Sequence, residues 1–336
     1  MKKNKVLLTL AVALGLVASA ANAAPPELLN ASYDVARSFY KDFNPIFIAD
    51  WKQKTGEDLR VNQSHGGSTK QARAVIDGLE ADVFSSNNPL DINAIAEKGH
   101  LLPTDWAKKF PNNSSPSWST ILFVVRKGNP KGIKDWGDLA KPGVAVVVPN
   151  PKTSGNGRYS YLAAWEWAKR KNGGDEKAAR AFVTSLFKNV PVLDTGGRGA
   201  TTTFAQRGIG DVLLTFENEV RLIKDELGPD KFDVVIPSLT VRADNPIAVV
   251  DKIAAKKGTT KIARAYIDFH YSEKGQEVFA ENDIRPSNEA ILKKYASRFP
   301  AINVFNVEQA FGSWDKAQAV HFADGGTFDQ IFQGNH

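Results

Sequence analysis

Short apolar segments alternate with longer amphipathic segments along most of the chain, and this alternation constrains the fold more than any other feature. The first part of the chain has predicted elements in the order strand 58–62, helix 70–79, strand 81–85, helix 92–98 and strand 119–126. The second part repeats the alternation with strand 145–148, a helix through Arg170, and strands 190–193, 211–216 and 232–237. This pattern is typical of an α/β protein with largely parallel sheets.

The first 23 residues have the composition of a secretory signal peptide. Three lysines within residues 2–5 precede an apolar run, and residues 21–23 (Ala-Asn-Ala) supply the small residues of a cleavage site. We therefore predict a mature chain that begins at Ala24 and is released into the periplasm. The sequence contains no cysteine, which excludes a lipid-anchored cysteine, disulfides and thiol chemistry.

The predicted mature chain of about 313 residues exceeds the size at which one hydrophobic core normally keeps growing. Two lobes joined by crossing segments fit this length. One crossing is predicted within 119–126 and the return within 236–250. We predict a first lobe built from residues 24–120 and 240–336 and a second lobe built from residues 121–239.

The charge of the chain does not favour nucleic acid as a partner. The formal net charge is +6, and removal of the three lysines in the signal peptide lowers it to +3. So small an excess, with positive and negative residues well mixed, is not typical of a nucleic-acid-binding surface. We therefore expect no nucleic-acid partner.

Asn150 to Arg158 is the segment most suggestive of a binding site, because small hydroxyl and glycine residues stand between a predicted strand and a predicted helix. The first N–H groups of a helix have no partner within the helix and lie at the positive end of its dipole. They are therefore suited to bind an anion. An ordinary serine cap is the alternative interpretation of this segment taken alone.

Three further stretches combine a strand, a turn of small residues and a helix. They are 63–70, where Ser68 is predicted to cap a helix through Leu79; 194–200, with a helix predicted from about Thr201; and 30–34, which opens a helix through Trp51. Ligands of open α/β sheets bind outside the carboxyl ends of the strands, so these turns are expected to converge on one crevice. Each turn alone is explained by a plain cap, but four together favour an anion site built from neutral donors.

These four stretches together resemble the periplasmic sulfate- and thiosulfate-binding proteins, which are substrate-binding subunits of ABC importers. The similarity runs from about Leu28 to Gln330 and includes 322–329. It implies a type II periplasmic-binding fold, in which two α/β lobes, each with a mixed, largely parallel sheet flanked by helices, enclose a ligand cleft. It further implies a monomer that delivers its anion to the permease and ATPase subunits of an importer, without a cofactor or metal.

The resemblance also implies which residues hold the anion, mostly through backbone N–H groups and serine hydroxyls. These residues are Asp34, Ser68, Ser154, Gly155, Asn156 and Gly197. We predict that the Asp34 carboxylate caps its own helix and points away from the ligand, because a site made only of donors selects a fully ionised anion. Phosphate that carries a proton needs an acceptor, which such a site lacks.

Phe216 departs from the sulfate-binding branch of the family, which has tryptophan before a similar Glu-Asn-Glu and uses its indole N–H to hold the anion. Phenylalanine cannot donate. Residues 153–156 and 196–204 look like the thiosulfate-binding branch, whereas 64–68 look more like the sulfate-binding branch. Sulfate is the main prediction, and thiosulfate stays open as the alternative.

An exported hydrolase is a distant alternative, with Ser68 or Ser154 as nucleophile, His65 as base and Asp34 as the group that orients it. The sequence has no Gly-x-Ser-x-Gly elbow and no phosphate-binding P-loop. Its five histidines have no metal-ligand spacing such as His-Glu-x-x-His. We therefore predict that the chain is not an enzyme, and that His65 has a structural role.

Overall fold

The computed structural model describes residues 24–228 and 230–333, so the predicted signal peptide lies outside the described residues. The strands are β1 (Glu27–Tyr33), β2 (Arg60–Gly66), β3 (Val83–Ser85), β4 (Ser117–Ser119), β5 (Ile121–Arg126), β6 (Val146–Pro149), β7 (Leu193–Asp194), β8 (Val212–Phe216), β9 (Phe232–Val235), β10 (Thr240–Val241), β11 (Ala243–Asn245), β12 (Ile247–Val249), β13 (Arg285–Pro286) and β14 (Val304–Phe305). The helices are α1 (Arg37–Thr55), α2 (Ser68–Ile76), α3 (Pro89–Glu97), α4 (Pro111–Ser114), α5 (Gly155–Lys171), α6 (Glu176–Lys188), α7 (Gly197–Thr201), α8 (Glu217–Leu227), α9 (Asp251–Lys257), α10 (Thr260–Tyr271), α11 (Glu273–Glu281), α12 (Glu289–Lys294), α13 (Val307–Phe311), α14 (Trp314–Ala317) and α15 (Thr327–Gln333).

The first lobe is built on a four-stranded sheet with the strand order β12-β3-β1-β2. β1 is parallel to both β2 and β3, and β12 is antiparallel to β3. Apolar side chains of α2 and α3 cover one face, where Val75 and Ile95 pack with Phe84 of β3. The parallel pairing places the carboxyl ends of β1 and β2 side by side, with Tyr33 opposite Gly66.

The second lobe is built on a five-stranded sheet with the strand order β7-β6-β8-β5-β9. β6 is parallel to β7 and β8, whereas β5 is antiparallel to β8 and β9. Alternate residues of β5 face opposite sides, as a strand requires, so Phe123 and Leu122 belong to separate cores. Both lobes contain a mixed sheet flanked by helices, which confirms the predicted α/β fold class.

The chain crosses between the lobes at β4–β5 and at β10–β11, and the two crossings are hydrogen-bonded to each other. Thr120 Oγ1 donates to Val241 O at 2.8 Å, and Thr240 Oγ1 donates to Ile121 O at 2.9 Å. β11 and β13 both pair with β4 in a small antiparallel sheet beside this point. Both crossings therefore run through one shared hinge.

The C-terminal helices α13 to α15 follow a different course from the predicted one. Tyr161 of α5 is hydrogen-bonded to His321 at 3.0 Å, and Lys152 Nζ lies 2.9 Å from Asp324 and 3.0 Å from Asp329. Residues from about 307 onward therefore pack on the second lobe, although 240–336 was assigned to the first. Sequence patterns missed this because helices reveal their apolar face but not the surface that covers it.

The structure corrects the limits of several predicted elements. The strand predicted over 145–148 is β6 at Val146–Pro149, and the helix that follows starts at Gly155. The helix predicted from about Thr201 starts at Gly197. None of the helices in the described part of the chain combines the length and apolar composition needed to cross a membrane.

Candidate functional site

The four predicted helix starts lie at the carboxyl ends of parallel strands that face one cleft. In the first lobe, β1 leads into a 3-10 turn that begins at Asp34, and β2 leads through Gly67 into α2. In the second lobe, β6 and β7 lead into α5 and α7, which begin at Gly155 and Gly197. The first N–H groups of each helix point out of its start without partners from the helix itself.

Direct contacts join the helix starts of the two lobes. Gly155 N–H donates to Ser68 Oγ at 3.3 Å. Arg198 N–H donates to the Asp34 carboxylate at 3.0 Å. Nδ2 of Asn218 in α8 donates to Val35 O at 3.4 Å. The structure thus shows the cleft closed, with backbone donors of one lobe facing side chains and backbone of the other.

Two glycines make this closed arrangement possible. A Cβ atom at Gly67 would lie 2.6 Å from both Thr153 O and Thr195 O, two carbonyls of the second lobe. A Cβ atom at Gly155 would overlap the Asn87 side chain of the first lobe. Since real Cβ atoms do not approach other atoms so closely, both positions need glycine for the lobes to meet.

Ser68 does not cap α2, contrary to the prediction, because it is the first helical residue and Gly67 occupies the cap position. The side chain, which is almost fully buried, accepts hydrogen bonds from Gly155 N–H at 3.3 Å and from Asn88 Nδ2 at 3.4 Å. The hydroxyl is therefore directed across the cleft and retains its own proton as a donor.

Ser154 occupies the cap position of α5 but makes no side-chain hydrogen bond to that helix. Its neighbour Asn156 uses its side chain within the second lobe, donating to Thr215 at 3.4 Å and accepting from Ser160 at 3.2 Å. Both residues are at most 2% exposed. The start of α5 therefore offers a buried hydroxyl and the N–H groups of Gly155 and Asn156.

We predicted that the Asp34 carboxylate caps its own helix and points away from the ligand. In the structure it reaches across the cleft to the start of α7. Burial raises the pKa of Asp34, whereas the hydrogen bond from Arg198 N–H and that from Val35 N–H act in the opposite direction. The carboxylate takes the place of an anion at the second N–H of α7. This cap explains why a glycine-rich segment becomes helical from Gly197 onward.

Two arginines beside the site, Arg158 and Arg198, are paired with carboxylates. Arg158 of α5 pairs with Asp91 of α3 at 3.3 Å, and both side chains are buried. Arg198 donates through Nη2 to Glu226 at 2.5 Å and lies 3.8 Å from Glu219. Arg158 and Arg198 are therefore paired with carboxylates, and backbone N–H groups and hydroxyls face the cleft.

Glu219 is a fully buried carboxyl group behind α7. Thr201 Oγ1 donates to its Oε2 at 2.6 Å, while none of the described residues forms a hydrogen bond with its Oε1. Burial raises the pKa of Glu219 to about 7, although Thr201 and Arg198 favour the charged form. The side chain is therefore partly protonated near neutral pH.

Phe216 ends β8 immediately before α8 and is 1% exposed. Its ring packs edge to face on Tyr159 of α5, with 6.1 Å between ring centres. The preceding residue, Thr215, is hydrogen-bonded to Asn156 at 3.4 Å. Phe216 therefore stands beside the start of α5, where it supplies an apolar surface and no donor.

His65 and Asp34 do not form a catalytic arrangement with either serine. His65 Nδ1 is hydrogen-bonded to Ser32 Oγ at 2.7 Å, and the Asp34 carboxylate is engaged by Arg198 N–H. Burial, with a smaller contribution from Arg37, lowers the pKa of His65 to about 4. A neutral histidine that holds one strand to the next fits the structural role predicted for it.

The loop between β3 and α3 contributes to the site, and the sequence interpretation did not include it. Asn88 Nδ2 donates to Asp91 Oδ2 at 2.7 Å and to Asn87 Oδ1 at 3.0 Å, which places both asparagines beside Ser68 and Gly155. The signal was present as a strand followed by Ser-Asn-Asn and a proline at the first helical position. It is a fifth strand, polar turn and helix pattern.

Helix starts of two α/β lobes that meet across a closed cleft define the class of two-lobe binding proteins. Comparison with known proteins identifies the group within that class. A family model described as bacterial extracellular solute-binding protein matches residues 34–283. The chain belongs to this family of bacterial extracellular solute-binding proteins, which includes sulfate- and thiosulfate-binding proteins.

Several relatives match most of the length of the chain and confirm the resemblance found in the sequence. The thiosulfate-binding protein of Pseudomonas aeruginosa is 56% identical over 329 residues, covering 98% of each chain. The sulfate-binding protein of Escherichia coli K12 is 51% identical over 316 residues, covering 94% of this chain and 96% of that one. The solved structure of the sulfate-binding protein SubI from Mycobacterium tuberculosis has a TM-score of 0.79 at 30% identity, covering 88% of this chain and 98% of that one.

Proposed function

We propose that the chain captures sulfate between its two lobes and delivers it to an ABC importer. One observation carries the proposal: buried helix starts from both lobes meet in one closed cleft, with Ser68 directed across it and Ser154 unused as a cap. The names of the relatives support the same ligand, since sulfate-binding proteins are among them. The anion would be held by Asp34, Ser68, Ser154, Gly155, Asn156 and Gly197, with Asp34 contributing its backbone N–H.

Hydrogen bonds from neutral donors supply enough free energy to bind the anion. Each hydrogen bond to a charged group contributes about 1.5–3 kcal/mol net, and each helix start adds about 0.3–1 kcal/mol. A set of about six such contacts exceeds the roughly 8 kcal/mol that corresponds to micromolar affinity, with a margin for the loss of freedom on binding. A buried cation opposite the anion is therefore not required, which fits the pairing of Arg158 with Asp91.

The same donors would select against protonated anions. Sulfate and thiosulfate are fully ionised near neutral pH and accept hydrogen bonds everywhere, whereas hydrogen phosphate brings an O–H that needs an acceptor. The Asp34 carboxylate, an acceptor at the start of α7, already accepts the Arg198 N–H. We therefore expect phosphate to bind far more weakly than sulfate.

The test is calorimetric titration of the mature protein, freed of retained anion by unfolding and refolding. Sulfate, thiosulfate, phosphate and molybdate are added separately. Saturable sulfate binding at a ratio of one to one with negligible phosphate binding supports the proposal. Tighter binding of phosphate than of sulfate refutes the donor-only site, and absence of binding to all four anions refutes the function.

Thiosulfate is the second candidate ligand, and Phe216 is the observation that favours it. One oxygen of sulfate is replaced by sulfur in thiosulfate, and sulfur is a larger and weaker acceptor. The buried phenyl ring beside the start of α5 offers an apolar surface where a donor would favour oxygen. The relative that is 56% identical is named a thiosulfate-binding protein. The ratio of the sulfate and thiosulfate affinities in the same titration decides between them.

Export and delivery follow from the same function. We propose that residues 1–23 are removed on export to the periplasm, and that the mature chain acts as a monomer that binds and releases its anion without transforming it. Membership of a solute-binding family supports a role in transport, and permease and ATPase subunits would complete the importer. Sequencing the N terminus of the periplasmic protein tests cleavage before Ala24, and light scattering tests the monomer.

A further inference from the structure

A groove of about 620 Å³ lies on the outer face of the second lobe, between helices α5 and α6 and the C-terminal helices. Trp165 and His321, which are 5% and 4% exposed, form its floor, and their rings pack edge to face with 4.6 Å between centres. Phe311 lines one side, 5.5 Å from His321 between ring centres. The volume lies within the range of small-molecule sites, about 300–1,000 Å³.

The groove is separate from the cleft between the lobes. Ser154 occupies the cap position of α5 at the cleft, and Trp165 lies in α5, eleven residues further along the chain. At 1.5 Å per residue this places Trp165 about 16 Å from the cleft. A molecule in the groove therefore has contacts of its own and does not need the helix starts that face sulfate.

The rim of the groove is positively charged. Four of its side chains are cations, Lys169, Lys177, Arg180 and Lys316, and one is a carboxylate, Glu176. The carboxylate is already engaged, since Lys169 pairs with it at 2.6 Å and Trp165 Nε1 donates to it at 2.7 Å.

Two of the rim cations are free to meet an anion. In the part of the chain that the structure describes, Lys177 and Lys316 form no salt bridge. Arg180 forms a neutral hydrogen bond to Gln330 at 2.8 Å and keeps its charge uncompensated there. An apolar aromatic floor below unpaired cations fits a ligand with a flat apolar body and one anionic end.

We propose that this groove is a second binding site, for a small aromatic anion such as an aryl sulfonate. The aromatic body would pack against the rings of Trp165, His321 and Phe311, which favour edge and offset contacts. The anionic end would lie between Lys177, Arg180 and Lys316. The site differs chemically from the cleft, where buried backbone donors and hydroxyls would hold the proposed inorganic anion.

The test uses the mature protein with its cleft saturated by sulfate, so that the cleft cannot take up the probe. Calorimetric titration with 4-toluenesulfonate is expected to show saturable binding at one to one. Methanesulfonate, which keeps the anionic group but lacks the ring, is expected to bind at least tenfold more weakly. The double variant Lys177→Glu/Lys316→Glu is expected to lower the affinity for 4-toluenesulfonate at least tenfold.

The control variant Lys171→Glu/Lys188→Glu also reverses two charges, on α5 and α6, at positions that do not line the groove, and its affinity for 4-toluenesulfonate is expected to stay within twofold. Sulfate affinity is expected to be unchanged in both double variants, which separates this site from the proposed function. The proposal is overturned by absent or non-saturable binding, by equal binding of methanesulfonate, or by equal loss in the two double variants. Displacement of the probe by added sulfate would also overturn it, because the probe would then occupy the cleft.

Discussion

Ser154 shows how one side chain can be placed for a ligand. A serine at a helix cap normally accepts an N–H from its own helix, and that bond typically stabilises a protein by about 1 kcal/mol. Ser154 makes no such bond although it occupies the cap position of α5 and is buried. A buried hydroxyl that leaves its cap bond unmade is available to an anion at the same helix start.

Replacing Ser154 by alanine tests this role. The Ser154→Ala variant removes one hydrogen bond to a charged ligand, worth about 1.5–3 kcal/mol, so sulfate affinity should fall about 10- to 100-fold. Thermal stability of the ligand-free protein should change little, because no cap bond is lost. Calorimetry and thermal unfolding measure the two effects. Ser185→Ala on α6, whose hydroxyl donates to Ala181 O of its own helix, is the matched control and should bind sulfate normally.

Phe216 offers a test of ligand preference. In a Phe216→Trp variant the indole N–H can donate to a sulfate oxygen but gains less from the sulfur of thiosulfate, so the ratio of sulfate to thiosulfate affinity should rise about tenfold. Overpacking beside Tyr159 costs about 1–3 kcal/mol of stability and affects both ligands alike. Competition titration measures the ratio, and an unchanged ratio would show that the ring does not set the preference.

α7 is a short helix whose start is formed by two lobes together. Its own sequence, Gly-Arg-Gly-Ala-Thr, has little intrinsic tendency to be helical. Asp34 of the first lobe accepts the N–H of Arg198, and Thr201 at its other end bonds to the buried Glu219. The helix that presents Gly197 to the cleft therefore depends on one carboxylate in each lobe.

Glu219 predicts a dependence of stability on pH. Because burial raises its pKa from 4.5 to about 7, the folded protein binds more protons than the unfolded chain between these pH values. The stabilising contribution is full below pH 4.5 and is lost as pH rises through 7. Glu219→Gln imitates the protonated form, so it should raise the free energy of unfolding more at pH 8 than at pH 5, by about 2–3 kcal/mol. Denaturant unfolding at both pH values measures this difference, and equal effects would contradict it.

The closed arrangement of the lobes rests on contacts that exist only when the cleft is shut. Arg158 of α5 pairs with Asp91 of α3 across the lobes, and Gly67 and Gly155 allow the facing loops to touch. Both crossings between the lobes meet at Thr120 and Thr240, so we expect a small rotation at this point to open or shut the cleft. Binding and closure are therefore expected to be coupled.

Gly155→Ala should separate binding from closure. Its Cβ would collide with Asn87 of the other lobe, so the cleft cannot shut fully. Sulfate should contract the normal protein, seen as a smaller radius of gyration in X-ray scattering, but should leave the variant unchanged and weakly bound. Gly137→Ala is the control, since its Cβ would meet only Trp167 of the same lobe, at 3.2 Å. Normal contraction of the Gly155→Ala variant would refute the coupling.

Much of the fold and part of the candidate site could be predicted from local sequence patterns. The alternation of strands and helices and the small residues at four helix starts each depend on neighbours a few residues apart, so periodicity and turn chemistry reveal them. The start of α7 was misplaced because glycine-rich segments carry no helix signal of their own. Asn87 and Asn88 were missed because an Asn-Asn-Pro turn is equally typical of a loop.

The remaining features depend on residues that are distant in the chain. Asp34 and Arg198 are 164 residues apart, and Arg158 and Asp91 are 67 apart, so no local pattern records that they meet. The sequence predicted where helix starts suited to an anion would form, because capping and the helix dipole are local properties. Their convergence, the pairing of Arg158 and Arg198 with carboxylates and the course of the C-terminal helices required the folded chain, because packing and closure are set by surfaces that no short segment contains.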